Sequence, residues 1–129
     1  MQIRSFRDLR VWQAGIDPVR KIYELTSRFP RNEVYGLASQ MQRAAVSVPS
    51  NIAEGHARES TKEYLQHLSI AQTSLAELET QLEIAKQLNY IFEESAAGLF
   101  GEATSLGRQL FALRNALMNP KAKAASPVS

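Results

Sequence analysis

His56 and His67 are the only imidazoles in this 129-residue chain, and it contains no cysteine. Thiolate catalysis, structural disulfides and zinc–thiolate sites are therefore excluded. Helical bundles often build di-metal centres from Glu-x-x-His motifs. Here Ala53 and Tyr64 stand three residues ahead of the two histidines, so neither motif exists. Glu63 and His67 are spaced i, i+4, but two ligands alone do not make a metal centre. A surface pair near a helix start is the expected reading. No serine–histidine–acid order stands out, and neither glycine-rich phosphate-loop pattern occurs. The expectation is a protein without catalytic residues, metal or cofactor.

A second set of polar residues has a more regular spacing. In QMQRAAVSVPSNIAEG, residues 40–55, the side chains Arg43, Ser47, Ser50, Asn51 and Glu54 recur at steps of three and four. They form a polar stripe on an alanine-rich helix. Further on, Glu77 and Gln81 lie one turn apart, just after Thr73 and Ser74. Small neighbours permit close approach, and such groups can then bond across helices. An ordered network, within the bundle or between subunits, is preferred here over a plain solvated face.

The basic residues are the third candidate. Positions 1–31 hold seven Lys or Arg against three acids, whereas residues 68–129 hold five against six. Arg4, Arg7, Arg10, Arg20 and Lys21 are the candidate contacts to phosphate. The whole chain carries only +2, too little by itself to name a nucleic-acid partner. Repetition of one patch around an oligomer would strengthen the field.

These residues must be positioned by helices. Leu9, Trp12, Ile16, Val19, Tyr23 and Leu25 suggest a first helix from about residue 6 to 28, with Ser5 as N-cap and a kink at Pro18. Val34, Ala38, Met41, Ala45, Val48 and Ile52 predict a second, over about 33–54, bent but not stopped at Pro49, with Gly55 supplying a left-handed end. Ser60 to Glu63 reads as a capping box. Tyr64, Leu68, Ala71, Leu75, Leu78, Leu82 and Ala85 then form an unbroken a/d seam that Asn89 can close. Ala96, Leu99, Ala103, Leu106, Leu110, Leu113 and Leu117 repeat it to Asn119-Pro120. Gly98, Gly101 and Gly107 sit inside that last helix and suggest a tight helix–helix or subunit contact. No alternation of period two competes. The prediction is an all-α, antiparallel up-down-up-down four-helix bundle over residues 1–119, with a disordered tail over 120–129. Its third and fourth helices should be the most regular pair. No apolar run reaches membrane-spanning length, and the arginine-rich start has no signal-peptide core, so a cytoplasmic location is expected.

Several stretches together resemble a known family. FRDLRVWQ at 6–13, IYELTSRFP at 22–30, YGLASQMQRAAVSVPSNIAEGHAR at 35–58 and STKEYLQHLSIAQTSLAELETQLEIAKQLNYI at 60–91 resemble the 23S rRNA intervening-sequence proteins, a four-helix-bundle family. The resemblance implies a bacterial, cytosolic, noncatalytic bundle that assembles as a homo-oligomer, a pentamer in related bundles. It also extends to the accessory proteins of diversity-generating retroelements, which implies RNA or DNA as partner. A protein-interaction adaptor is the alternative. Carried over by position, the family signature falls on Arg43, Ser50, Asn51, Glu54, Gly55, Tyr64, Glu77 and Gln81. The chain departs from the family pattern at Asp17-Pro18, where continuous helix is expected.

Overall fold

Residues 4–120 are described by a computed structural model. They form four α-helices: α1 (Arg10–Thr26), α2 (Leu37–His56), α3 (Thr61–Gln87) and α4 (Glu93–Met118). There is no strand among the described residues. Each helix packs on two neighbours, α1 and α3 both lying between α2 and α4. Leu9 and Val11, at the start of α1, share one core cluster with Ile52 near the end of α2, Leu68 near the start of α3 and Leu113 near the end of α4. That sharing requires the expected up-down-up-down order. The other half of the core joins Ile22, Met41, Leu82 and Leu99. The tail expectation beyond residue 120 lies outside the described residues.

Local chemistry sets the helix ends. Ser5 does cap, accepting from the Arg7 amide, while the Asp8 carboxylate accepts from the Ser5 amide. The pair caps a short 3₁₀ turn over Phe6–Asp8, and extended Leu9 separates that turn from α1. The first helix is thus shorter than predicted. α2 also starts later than expected, because Arg31–Glu33 forms its own 3₁₀ turn. The Glu33 carboxylate then accepts from the Leu37 amide and from the Tyr90 hydroxyl. Ser60 accepts from the Glu63 amide and donates its hydroxyl to the Glu63 carboxylate, so only half of the expected capping box forms. At the far end of α3, Asn89 takes φ 61°. The Tyr90 amide reaches the Ala85 carbonyl and the Asn89 amide the Lys86 carbonyl, a Schellman end.

The predicted seams of α3 and α4 are buried, with only Tyr64 and Leu117 partly exposed. The seam of α2 is buried from Ala38 onward. The seam predicted for α1 is observed in part, since Leu9 is buried and Trp12, Val19 and Leu25 pack against the core. Ile16 and Tyr23 are 44% and 47% exposed, and the buried face is Val11, Gly15, Pro18, Ile22 and Thr26. Gly15 faces the Pro49 ring, where an added Cβ would make ordinary contact at 3.5 Å. Both prolines sit inside unbroken helices, so the departure at Asp17-Pro18 does not interrupt α1. The most extensive pairing is α2 with α3. Alanines and glycine on α2 permit it, whereas the leucines of α4 hold the backbones further apart.

Candidate functional site

The polar stripe of α2 faces the seam with α3. Ser74, buried on α3, donates its hydroxyl to Ser47 at 2.7 Å. Asn51 donates to the Ser47 hydroxyl at 3.0 Å and to the Ser47 carbonyl at 2.9 Å. Its Oδ1 lies 3.0 Å from Nδ1 of His67. Because the Asn51 amide nitrogen is committed to Ser47, its oxygen must accept, and Nδ1 of His67 is the donor. Two residues of the stripe, Ser47 and Asn51, thus form an ordered network with Ser74 and His67 inside the chain, while Arg43, Ser50 and Glu54 remain exposed. His67 belongs to it, contrary to the surface-pair reading, since Glu63 turns instead to Ser60. The Glu54 carboxylate stands 3.8 Å from the same imidazole nitrogen and is itself exposed.

The other signature residues divide. Arg43 donates to Ser39 on its own helix and remains exposed. Ser50 and Glu77 are exposed too. Gln81 is buried, and its Oε1 has no partner. Arg43, Glu77 and Gln81 line one groove of about 430 Å³ with Gln40, Ala44, Ser47 and Ser74. Tyr64 packs edge-on to His56, and burial pushes its phenol up to about 12. Gly55 does not form the left-handed end expected of it, since no glycine among the described residues has positive φ. Its role is contact: a Cβ there would lie 2.8 Å from Cβ of His67 and 2.9 Å from Cδ1 of Tyr64. The α4 glycines make no such contact within the chain, because Gly98 and Gly101 face open space and Gly107 meets only Leu75 at 3.8 Å.

The candidate basic residues also divide. Arg20 pairs with Asp17 at 2.7 Å and Glu24 at 2.8 Å, while Lys21 pairs with Glu102 at 3.0 Å and Asp17 at 3.1 Å. Hydrogen bonds from Arg20 and then Lys21 hold the Asp17 carboxyl below its usual range. Three carboxylates thus offset two cations. Arg4, Arg7 and Arg10 are exposed, and among the described residues none is in an ion pair. Arg7 lies over the Phe6 ring, 4.9 Å from its centroid, which fixes its stem without neutralising it. The fold sets these arginines at the bundle end that also carries Arg58, Lys62 and Arg114, three cations the sequence reading did not include. Among the described residues no group of three or more His, Asp or Glu is placed to hold a metal, and no helix is long and apolar enough to cross a membrane.

The class these features define is an all-α antiparallel four-helix bundle with a polar seam between its second and third helices. The chain belongs to the 23S rRNA-intervening sequence protein family, whose model matches residues 7–112. No curated protein matches it. Among solved structures it is similar to the 1.70 Å crystal structure of a protein with unknown function from the S23 ribosomal protein family of Bacteroides thetaiotaomicron VPI-5482. That likeness has a TM-score of 0.73 at 20% identity and covers 81% of this chain and 97% of the other. It speaks to the fold alone.

Proposed function

We propose that this chain is a noncatalytic, homo-oligomeric bundle that binds RNA or DNA through the phosphate backbone, without reading sequence. The observation that carries this reading is the set of exposed arginines Arg4, Arg7 and Arg10, unpaired among the described residues, at one end of the bundle. Guanidinium groups presented to phosphates fix position and carry no base code. Arg20 and Lys21 drop out of the contact set, since Asp17, Glu24 and Glu102 already occupy them. Exposed apolar side chains on outer helix faces, Ile16 and Tyr23 on α1 and Phe111 on α4, support self-association. A ring, pentameric as the family resemblance implies, would repeat the arginine cluster once per subunit.

Fluorescence anisotropy against labelled RNA and DNA over a range of salt tests the proposal, with light scattering to give the subunit number. Affinity should fall steeply as salt rises, and replacing Arg4, Arg7 and Arg10 by glutamine should flatten the slope by about three phosphate contacts. Absence of binding at ~50 mM salt, or a salt-independent affinity, would overturn it.

A second reading, a protein adaptor, is favoured by the opposite end of the bundle. There the α1–α2 and α3–α4 connections leave Tyr35 96% and Phe92 82% exposed, beside Val34 and Leu88. Pull-down from nuclease-treated lysate separates the readings. A partner retained by the native chain and lost on replacing Tyr35 and Phe92 by serine supports the adaptor.

A further inference from the structure

At the basic end, the start of α3 and the end of α4 enclose an open groove of about 670 Å³. Its walls combine two cations, Lys62 and Arg114, with polar Thr61, Gln66 and Ser69 and apolar Leu65, Leu117 and Met118. No carboxylate lines it. Arg114 is only partly exposed, yet among the described residues it has no ion-pair partner. Its Nη1 donates instead to the neutral Gln72 amide oxygen across the helix pair, at 2.6 Å. Its Nε is buried with no acceptor.

A half-buried arginine normally lies beside a carboxylate that cancels its charge. Here an uncharged amide orients the guanidinium and leaves the charge intact. The groove thus presents a fixed guanidinium, a flexible ammonium and two hydroxyls, all able to donate. Such a donor-rich set suits an anion with several oxygens better than a single carboxylate. The adjoining leucines and the Met118 thioether suit a flat apolar body, which methionine contacts favourably.

We propose that this groove binds a phosphate monoester joined to a planar base, the chemistry of a nucleotide. The phosphate is held by Arg114 and Lys62, and the base lies against Leu65, Leu117 and Met118. The ligand is either a free mononucleotide or the phosphorylated terminus of a strand. In the second case the inference rests on the nucleic-acid reading above and deepens it, by adding an end-binding position to the sequence-independent contacts.

Calorimetric titration of the full chain at low salt tests it, with AMP, adenosine and inorganic phosphate as probes. Oligonucleotides of one sequence carrying a 5′-phosphate or a 5′-hydroxyl form the second arm. AMP should bind about tenfold or more tighter than adenosine and than inorganic phosphate, because only AMP engages both halves of the groove. Lys62→Gln and Arg114→Gln should each weaken AMP about tenfold. Lys62 is exposed, so its variant keeps the test valid even if Arg114→Gln perturbs the fold. Preference for the 5′-phosphorylated strand, lost in Lys62→Gln, assigns the strand end. Equal strand affinities with AMP still bound assign the free nucleotide. AMP binding with no oligonucleotide binding overturns the nucleic-acid reading and leaves the groove standing. AMP no tighter than adenosine or phosphate, or AMP unaffected by Lys62→Gln, overturns the groove.

Discussion

The close approach of α2 to α3 at Gly55 can be tested with one methyl group. Gly55 of α2 lies against α3 so tightly that an added Cβ would stand 2.8 Å from Cβ of His67, 2.9 Å from Cδ1 of Tyr64 and 3.3 Å from the Tyr64 carbonyl oxygen. Tyr64 can rotate its ring, but a Cβ and a carbonyl move only with their backbone. Gly55→Ala therefore obliges α2 and α3 to separate locally, an overpacking that costs about 1–3 kcal/mol. Against this stands the helix propensity of alanine, which favours any helical Gly→Ala change by about 1 kcal/mol. Gly98 supplies the reference, since an added Cβ there meets nothing within 4 Å. Gly98→Ala should gain close to the full propensity term. The difference between the two variants cancels propensity and isolates the contact, so Gly55→Ala should be the less stable by about 1–3 kcal/mol. Urea unfolding followed by circular dichroism measures it, with equal slopes certifying that only stability changed. If the two variants prove equally stable, the close α2–α3 contact does not exist, and the polar network that depends on it loses its frame.

Asn89 holds the left-handed position at the end of α3, so Asn89→Gly should raise the unfolding free energy by about a few tenths of a kcal/mol and Asn89→Ala should lower it by about 1 kcal/mol. The reverse order would show that the Schellman end does not form. Gln81 carries a buried amide oxygen without a partner, so Gln81→Leu should be neutral or stabilising by up to about 1 kcal/mol in the same assay. A clear loss would mean that the amide is satisfied. Burial raises the Tyr64 phenol from 10.0 to about 12, so the folded state holds this proton more tightly than the unfolded chain does. That contribution is complete below the unfolded value and is lost as pH rises between about 10 and 12. Unfolding midpoints should therefore fall with pH in that window, and less so in Tyr64→Phe. Identical slopes for the two proteins would refute the assignment.

What the sequence disclosed depended on which residue types filled a seam. α3 and α4 bury leucine and alanine at heptad spacing, and large apolar side chains announce their own period. α1 buries Gly15, Pro18 and Thr26 beside Val11 and Ile22, while Ile16 and Tyr23 face outward. A reading that counts only large apolar residues misses Gly15, Pro18 and Thr26 on the buried face, because none of them carries a large apolar side chain. The same blindness hid the α1–α2 bond in which Gln42 donates to the Thr26 hydroxyl at 3.0 Å. The polar stripe on α2 was legible, since Ser47 and Asn51 share a face. Its partners on α3 were only half legible: Ser74 lay beside the residues singled out, whereas His67 was assigned to Glu63. No local spacing says which residue of an antiparallel neighbour will stand opposite.

Charge follows the same logic with a larger consequence. Counting along the chain assigns Arg20 and Lys21 to a basic N-terminal patch, yet Glu102, 81 residues beyond Lys21, crosses from α4 to pair with it. Antiparallel order gathers Arg4, Arg7 and Arg10 from the start of the chain, Arg58 and Lys62 from the α2–α3 turn and Arg114 from the last helix. These positions are remote in sequence and meet only because one end of the bundle collects two helix starts and two helix ends. The signal that predicts the gathering is the connection length: once the turns are too short for anything but antiparallel neighbours, charges near alternate ends must be pooled. The acids Glu24, Glu33, Glu93 and Glu94 are pooled at the opposite end by the same rule. The basic end also carries Asp8, Glu54, Glu59 and Glu63, so its excess is modest, six cations against four carboxylates, and what distinguishes it is that Arg4, Arg7 and Arg10 are exposed. On the nucleic-acid reading proposed above, a polyanion engages the exposed arginines of that end, and replacing Arg4, Arg7 and Arg10 is what should change its affinity.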